Sequence, residues 1–428
     1  MEPQQVYAVL QENGLGVSDV TPFAQMSEAA GGMLTGDSIL FVDGFDRALK
    51  IPDKGYPGMS LQKTESEKAI RGSNEGFGDS IKQNTALIRK RLRSVDLKVA
   101  ECKCGRRTGT NVDIMYLDGI VRPEIVTQMQ QRLAAFEIDG IGDSGVIEQL
   151  TETQWFSPFP QYQTTRRPDR AVMALLEGRA VLLEDNSPEV LIFPTDYNSF
   201  IKTTDDYYTR WEIATFTRTL RYVAAFLSMI LPGLYLAMTN FHTQLLPTKL
   251  LLSFAAARQG VPFPGVVEVL LMELSFELLR EAGVRLPGAM GNTIGIVGGL
   301  IIGQAAVDAN IVSPMVVIVV AFTALCSFAI PNEDFATAFR LLKFVFIGLS
   351  AALGFYGFLL GLLILLIHLA QLESFGMPYL MPFVGADLND YRDERDSLVR
   401  PPLQALTHRP FYANPKNRVR LRMKYKNR

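Results

Sequence analysis

Phe344–Ala370 reads FVFIGLSAALGFYGFLLGLLILLIHLA, an apolar stretch in which His368 is the only side chain that can carry charge near neutral pH. A helix rises about 1.5 Å per residue and the hydrocarbon core of a bilayer is about 30 Å thick, so roughly 20 such residues suffice for a crossing. A water-soluble domain rarely carries so long a run without charge. The stretch therefore predicts a membrane span, and it divides the chain. Soluble-type sequence precedes Thr217, and long dry runs extend from there to Glu373.

Working outward, an α-helical transmembrane domain of about four spans is expected over residues 213–375. The first covers Leu220–Phe241, with Pro232-Gly233 placed to kink it; the second and third cover Ala289–Val307 and Ile311–Ile330; the long stretch belongs to a fourth over Leu341–Ala370. Asp308-Ala309-Asn310 is so short a link that spans two and three should form a hairpin. Arg210, Arg218 and Arg221 cluster at the start of the first span, which by the positive-inside rule leaves the N-terminal region cytosolic. An even number of spans returns the C-terminus to the same side.

Gly291, Gly295, Gly299 and Gly303 recur every four residues in GNTIGIVGGLIIGQ and line one helix face. Such stripes let backbones approach closely in lipid. Gly357 and Gly361 repeat the spacing, with Ser350 and Gly354 nearby. These glycines are candidates for helix packing within one subunit or for an oligomer interface. Asn292 and Gln304 are polar groups that should face protein or water. Between the first two spans lies PFPGVVEVLLMELSFELLREAGVRLPG (Pro262–Gly288), a helix bracketed by prolines. It carries Glu273, Glu277 and Glu281 at i, i+4 and i+8, with Arg280 beside them. One reading is an interfacial helix whose carboxylates are wet and partly paired to Arg280. The other is a pore-lining helix whose acidic face, repeated around an oligomer, concentrates cations. Glu333, in Asn332-Glu333-Asp334, adds acid at the membrane edge.

The soluble half is expected to be α/β: a helical lead over 1–35, one subdomain over 36–118 and another over 119–212. Its predicted elements are a strand in Asp37–Gly44, an amphipathic helix in Gly76–Ser94 and strands Leu97–Lys103 and Asn111–Leu117. A helix Arg122–Phe136, a short strand near Ile138–Ile141, a helix from Ser144 to about Thr153 and a helix Ala171–Glu177 follow, ahead of the strand pair in RAVLLED and EVLIFP. The glycine-rich loops Gly72–Ser80 and Gly105–Thr110 could cradle an anion, but neither ends in the GK[ST] of a P-loop. No Ser/His/Asp set, HExxH or catalytic carboxylate pair stands out, so neither enzyme activity nor a cofactor is expected. Cys102-x-Cys104 is spaced for one face of a strand and lacks the further ligands a metal site needs. A net charge of −2 over 428 residues argues against nucleic acid as the partner. The start, MEPQQVYAVLQENG, has no signal-peptide pattern, consistent with a cytosolic first domain. Residues 376–428 read as a basic cytosolic tail whose end, KNRVRLRMKYKNR, sets Arg418, Arg420, Arg422, Lys424 and Lys426 at a period of two, fit for anionic lipid headgroups.

Several segments together resemble the A subunits of GerA-type spore germination receptors: RGSNEGFGDSIKQNTALIRKRL, GRRTGTNVDIMYLDGI, RRPDRAVMALLEGRAVLLEDNSPEVLIFP, the membrane block from MELSFELLREAGVRLPG to AFTALCSF, and AIPNEDFATAFRLLKF. The likeness covers nearly everything from Gly36 to Arg422; RGSNEGF departs from the RGPxEGF of the family. It implies a multi-pass protein of the spore inner membrane, with a cytosolic N-terminal region of two α/β subdomains. It also implies assembly with a transporter-like B subunit and a lipoprotein C subunit, and homo-oligomers, as pentamers, that release monovalent cations when nutrient is sensed. A SpoVAF-like branch shares these segments. A non-conducting scaffold and a transporter subunit are the alternatives to a channel.

Overall fold

In the computed structural model, residues 20–34, 36–44, 46–51, 67, 71–285, 289–384 and 396–422 are described, with the side chains of 289–297 and 300 outside the description. The described residues open, inside the expected helical lead, with a small antiparallel sheet in which β3 (Ala48–Ile51) lies between β1 (Thr21–Phe23) and β2 (Ser38–Leu40), with α1 (Met26–Leu34) alongside.

The main body of the soluble half is one five-stranded sheet. Its elements in chain order are α2 (Ile81–Arg91), β4 (Leu97–Cys104), β5 (Thr110–Leu117), α3 (Pro123–Ala134), α4 (Ser144–Thr151), β6 (Gln163–Thr165), α5 (Pro168–Leu176), β7 (Ala180–Glu184) and β8 (Val190–Phe193). The spatial order is β4-β5-β7-β8-β6, and every pairing is antiparallel. Strands from both sides of residue 118, the expected subdomain boundary, thus share one sheet. Side chains two apart point to the same face of a strand. Val112, Ile114, Ala180, Leu182, Leu191 and Phe193 accordingly pack under α3 and α4. Met115, Leu117, Val181, Leu183, Val190 and Ile192 pack under α2 and α5. With helices on both faces, β7 and β8 are buried along their whole length. The strand expected near Ile138–Ile141 is absent; the backbone there accepts from the turn after β4 instead, through Arg106 N to Ile138 O at 2.7 Å.

The basic tail is not free as far as residue 422. Phe411 and Tyr412 are buried in the core beneath α3 and α4, and Arg122 donates to Phe411 O at 2.7 Å. Tyr412 Oη donates to Asp196 at 2.6 Å, and the Arg179 guanidinium stacks on its ring at 4.1 Å. Gly178, with φ +92°, leaves the space: a Cβ there would lie 2.5 Å from Ala413 Cα.

Short helices α6 (Tyr197–Ile201) and α7 (Asp205–Tyr208) lead into α8 (Trp211–Leu236), which continues through a π-helical turn, Ala237–Phe241. At this junction Arg218 is fully buried, 3.3 Å from Asp206 and 2.8 Å from Asp396, and Arg221 also pairs with Asp206 at 2.9 Å. Arginines that read as an orientation signal are therefore part of a joint between soluble and helical halves. Next come α9 (Thr248–Ala257), α10 (Gly265–Arg285), α11 (Ala289–Asp308), α12 (Pro314–Phe328) and α13 (Glu333–Gln371).

α13 corrects the expected fourth span. Gly354 has φ 63° and ψ −139°, outside helical space, and the chain reverses there. Phe346 and Phe358 rings meet at 5.8 Å. At the other end Phe159 lies 5.9 Å from Phe335 and 6.3 Å from His368, whereas 33 residues of straight helix would separate the last two by about 50 Å. The arms 333–353 and 355–371 are thus an antiparallel hairpin, about 31 and 25 Å long at 1.5 Å per residue. By length and composition two described runs, Trp211–Phe241 and Glu333–Gln371, reach the size of a membrane crossing, the second being divided at Gly354 into its two arms; the four expected spans are not found among the described residues. α12, at 15 residues, is about 22 Å long and short of the slab. The second expected span coincides with the backbone of α11, but most of its side chains lie outside the described residues.

Two predictions follow from this packing. Gly354→Ala places a methyl 2.7 Å from Phe241 Cγ on a backbone that only glycine adopts readily, so it should cost about 2–4 kcal/mol. Gly348→Ala, with open space around its Cβ, should leave thermal unfolding in detergent unchanged or slightly raised. The second concerns Glu184, buried at the end of β7 with Oε2 lacking a hydrogen-bond partner among the described residues. Burial, then Asp143 and Asp185, push its carboxyl up to about 7. The folded chain then holds a proton between pH 4.5 and 7 that the unfolded chain releases, so stability falls as pH rises through that window. Glu184→Gln should flatten that decline between pH 5 and 8, gaining about 1–3 kcal/mol at pH 8.

Candidate charged site among the apolar helices

α10 starts directly after Pro264, whose ring suits the first turn of a helix, and runs to Arg285. Its acidic face meets the first arm of α13. Glu273, 1% exposed, lies 2.5 Å from Lys343 Nζ, and Glu277 lies 3.2 Å from the same nitrogen and 3.5 Å from Arg340. Arg340 also reaches Glu333 at 2.8 Å. A carboxylate and an ammonium taken out of water are stable together only if paired, and removing either partner is costly. Glu273 keeps its second oxygen, Oε1, without a hydrogen-bond partner among the described residues.

The neighbouring positions fall differently. Arg280 donates to Ser327 Oγ at 3.2 Å and lies over the Phe328 ring at 4.5 Å, both on α12. Glu281 is solvent-exposed and pairs with Arg285 at 2.5 Å, one turn on, away from Lys343. Toward the start of α10, Glu268 is buried, pairs with Arg258 at 3.2 Å and accepts from Ser313 N at 2.8 Å, which pins the link between α11 and α12.

Glu273, Glu277, Arg280 and Lys343 form the polar wall of a cavity of about 820 Å³ between α10, α11 and α12. Its other walls are apolar, including Phe276, Val317 and Leu325, with Gly299, Gly303 and Gln304 contributed by α11. A Cβ on Gly299 would sit 3.6 Å from Phe276, and one on Gly303 3.4 Å from Val317, so these glycines pack against their own chain. Gly357 and Gly361 line the seam of the α13 hairpin, against Leu349 and Phe346. Gly291, Gly295 and Asn292 have side-chain positions outside the described residues.

Lys343 is the functional candidate that the sequence reading passed over. Its signal was the spacing in RLLKF: Arg340 and Lys343, three apart, share a helix face with Glu333 seven residues earlier. The remaining candidates are committed elsewhere. In the Gly105–Gly109 turn, Arg106 N, Arg107 N and Thr108 N donate to Ile138 and Asp139 carbonyls, leaving no free cradle for an anion. In the Gly72–Ser80 loop, Phe77 N donates to Arg166 O and Gly78 N to Asn84 Oδ1. Arg420 N donates to Thr407 O, so the tail folds back on itself, while Arg422 is exposed; Lys424 and Lys426 lie outside the described residues.

Charge pairing in a dry helix block makes a direct prediction. Lys343→Met should destabilise the protein by about 3–5 kcal/mol by stranding Glu273. Glu273→Gln combined with Lys343→Met should recover much of that loss, and a double-mutant cycle on thermal unfolding would read the coupling.

Comparison with known proteins places this architecture. The model of the Bacillus/Clostridium GerA spore germination protein family matches residues 2–412. Spore germination protein KA of Bacillus subtilis (strain 168) is 42% identical over 388 residues, 91% of this chain and 71% of that protein. Spore germination protein GerLA of Bacillus cereus is 38% identical over 419 residues, 97% of this chain and 85% of its own length. An uncharacterized membrane protein of B. subtilis, YfkQ, is 41% identical over 93% of this chain and 77% of its own. Among solved structures, the N-terminal domain of the A subunit of the Bacillus megaterium spore germinant receptor GerK3 aligns at 32% identity with a TM-score of 0.34, over 44% of this chain and 68% of that domain. A match running almost from end to end, with relatives of this identity and coverage, has one consequence: the chain belongs to the GerA family of spore germination proteins.

Proposed function

We propose that this chain is the membrane subunit of a spore germinant receptor and that several copies enclose a nutrient-gated path for monovalent cations. The observation that carries the reading is the buried Glu273–Lys343–Glu277 cluster at the wall of the α10–α12 cavity. Ionisable groups inside a membrane domain are expensive, and they concentrate where ions or protons move. With Lys343 in place the acidic face is neutralised and offers a cation little. Separation of the first α13 arm from α10 would expose two carboxylates along one helix face, which is a gate built from one ion pair.

In this proposal the chain works in the inner spore membrane with its soluble half and tail in the cytosol, beside a transporter-like B subunit and a lipoprotein C subunit, and needs no cofactor. Homo-oligomers, as pentamers, would supply the ring of acidic faces, and the exposed apolar outer surface of α8 and α13 would face lipid or neighbours. The soluble region over 36–212, whose central sheet spans the boundary expected at 118, lies ahead of the helical domain at 213–375. A non-conducting scaffold is the second reading. It is favoured by the pairing of Glu273 and Glu277 within one chain, which leaves them no role that needs an ion.

Flux through proteoliposomes discriminates the two. Glu273→Gln and Glu277→Gln combined with Lys343→Met, which leaves no stranded ammonium, should alter K⁺ over Cl⁻ selectivity at least several-fold, without changing oligomer size on a blue-native gel. Protein that assembles yet passes no K⁺ or Na⁺, with Lys343 present or replaced, supports the scaffold.

A further inference from the structure

Trp155 and Phe156 are 72% and 81% exposed, and their ring centroids are 3.7 Å apart. A side-by-side pair of large aromatics facing water is unfavourable, and here it does not sit on a loose tip. The loop carrying it is fastened at both ends to the second arm of α13. Gln154 Nε2 donates to Gln371 O at 3.4 Å, and Ser157 Oγ and His368 Nε2 are hydrogen-bonded at 2.9 Å. Gln161 closes the loop from behind: its Oε1 accepts from Thr153 N and Oγ1, and its Nε2 donates to Gln154 O. Phe159, just beyond, is buried among Phe335, Phe339 and His368.

These contacts fix the height of the pair. Gln154 is level with the end of the arm and Ser157 one turn deeper, so Trp155 and Phe156 lie beside the final turn of the apolar run. The outward side of that arm carries exposed Leu363, Ile364, Leu366 and Ile367. The aromatic pair therefore extends the apolar surface of the hairpin at the end of its apolar run. Tryptophan and its neighbours favour the boundary between hydrocarbon and headgroups, since the ring is apolar and the indole N–H can still bond to water or lipid oxygens.

We propose that the 154–157 loop is a membrane-surface anchor, with Trp155 and Phe156 inserted at the headgroup–acyl boundary of the bilayer that the α13 hairpin enters. This rests on the membrane reading given above. The occupant is lipid rather than protein because the patch is continuous with the outer face of the hairpin. The anchor holds the soluble sheet at a fixed depth and orientation on the bilayer, through the same strut that ends the second arm.

The chain has two tryptophans, Trp155 and Trp211. Full-length Trp211→Phe protein therefore leaves Trp155 as the sole indole reporter in phosphatidylcholine–phosphatidylglycerol vesicles. Bromine near the headgroup end of the acyl chains should quench its emission at least about twofold more than bromine near the chain terminus, and aqueous acrylamide should quench it weakly. Strong acrylamide quenching without bromolipid quenching would overturn the anchor. So would shielding from both, which would put a second copy or another protein on the patch. Retention on the vesicles through an alkaline wash is scored separately. Protein that washes off refutes the membrane reading and the anchor with it, whereas retained protein with an unquenched Trp155 refutes the anchor alone.

Discussion

The reversal of the backbone at Gly354 is the constraint on which the remaining architecture rests. It brings Gln371 back beside the soluble half instead of leaving it a full helix length away. Everything after it then has something to pack on: Tyr379 donates to Pro160 O at 3.0 Å, Asp396 caps Arg218, and Phe411 and Tyr412 enter the core of the sheet. Only a residue without a Cβ can sit there, because Phe241 from the end of α8 already fills the space. The close approach is repeated lower down, where a Cβ on Gly233 would lie 2.9 Å from Phe346 O and 3.0 Å from Ser350 Oγ. Small residues, not polar contacts, set the spacing of α8 against α13, since glycine lets two helix backbones approach closely.

Against this apolar packing the charged cluster stands out by chemistry. Glu273 and Lys343 are both nearly inaccessible, and either alone would be a large liability in so dry a setting. An apolar pair of similar volume would pack there at no electrostatic cost. Retention of both charges fits a contact that separates during function, and the adjoining cavity gives α10 room to move relative to α12. The same elements would serve a rigid scaffold if the contact never opens, which is why conduction decides between the two.

How much of this was legible in the sequence depended on whether the determinant was local. Helices α2, α3, α4 and α5 announced themselves through apolar spacing on one face, and β4, β5, β7 and β8 through alternation or short buried runs, within a few residues of their observed ends. β6 did not, being three residues, QTT, whose identity as a strand comes only from pairing with β8. Gly354 was hidden because Gly348, Gly357 and Gly361 surround it in a uniformly apolar run, and hydropathy does not tell which glycine takes a positive φ. The partner of Glu273 was hidden because it comes 70 positions later. The tail was read by its charges, and its informative residues were instead the aromatic pair Phe411-Tyr412.

The burial of Phe411 and Tyr412 against the sheet also orders the biosynthesis of the protein. All helices of the membrane block precede these residues in the chain, so a ribosome must have delivered every one of them before the last piece of the soluble core exists. Until then the sheet carries an uncovered apolar patch beneath α3 and α4 and an empty groove at Gly178. Closure of the soluble core therefore follows synthesis of the whole helical block, and it depends on the hairpin having formed and returned its end beside the sheet.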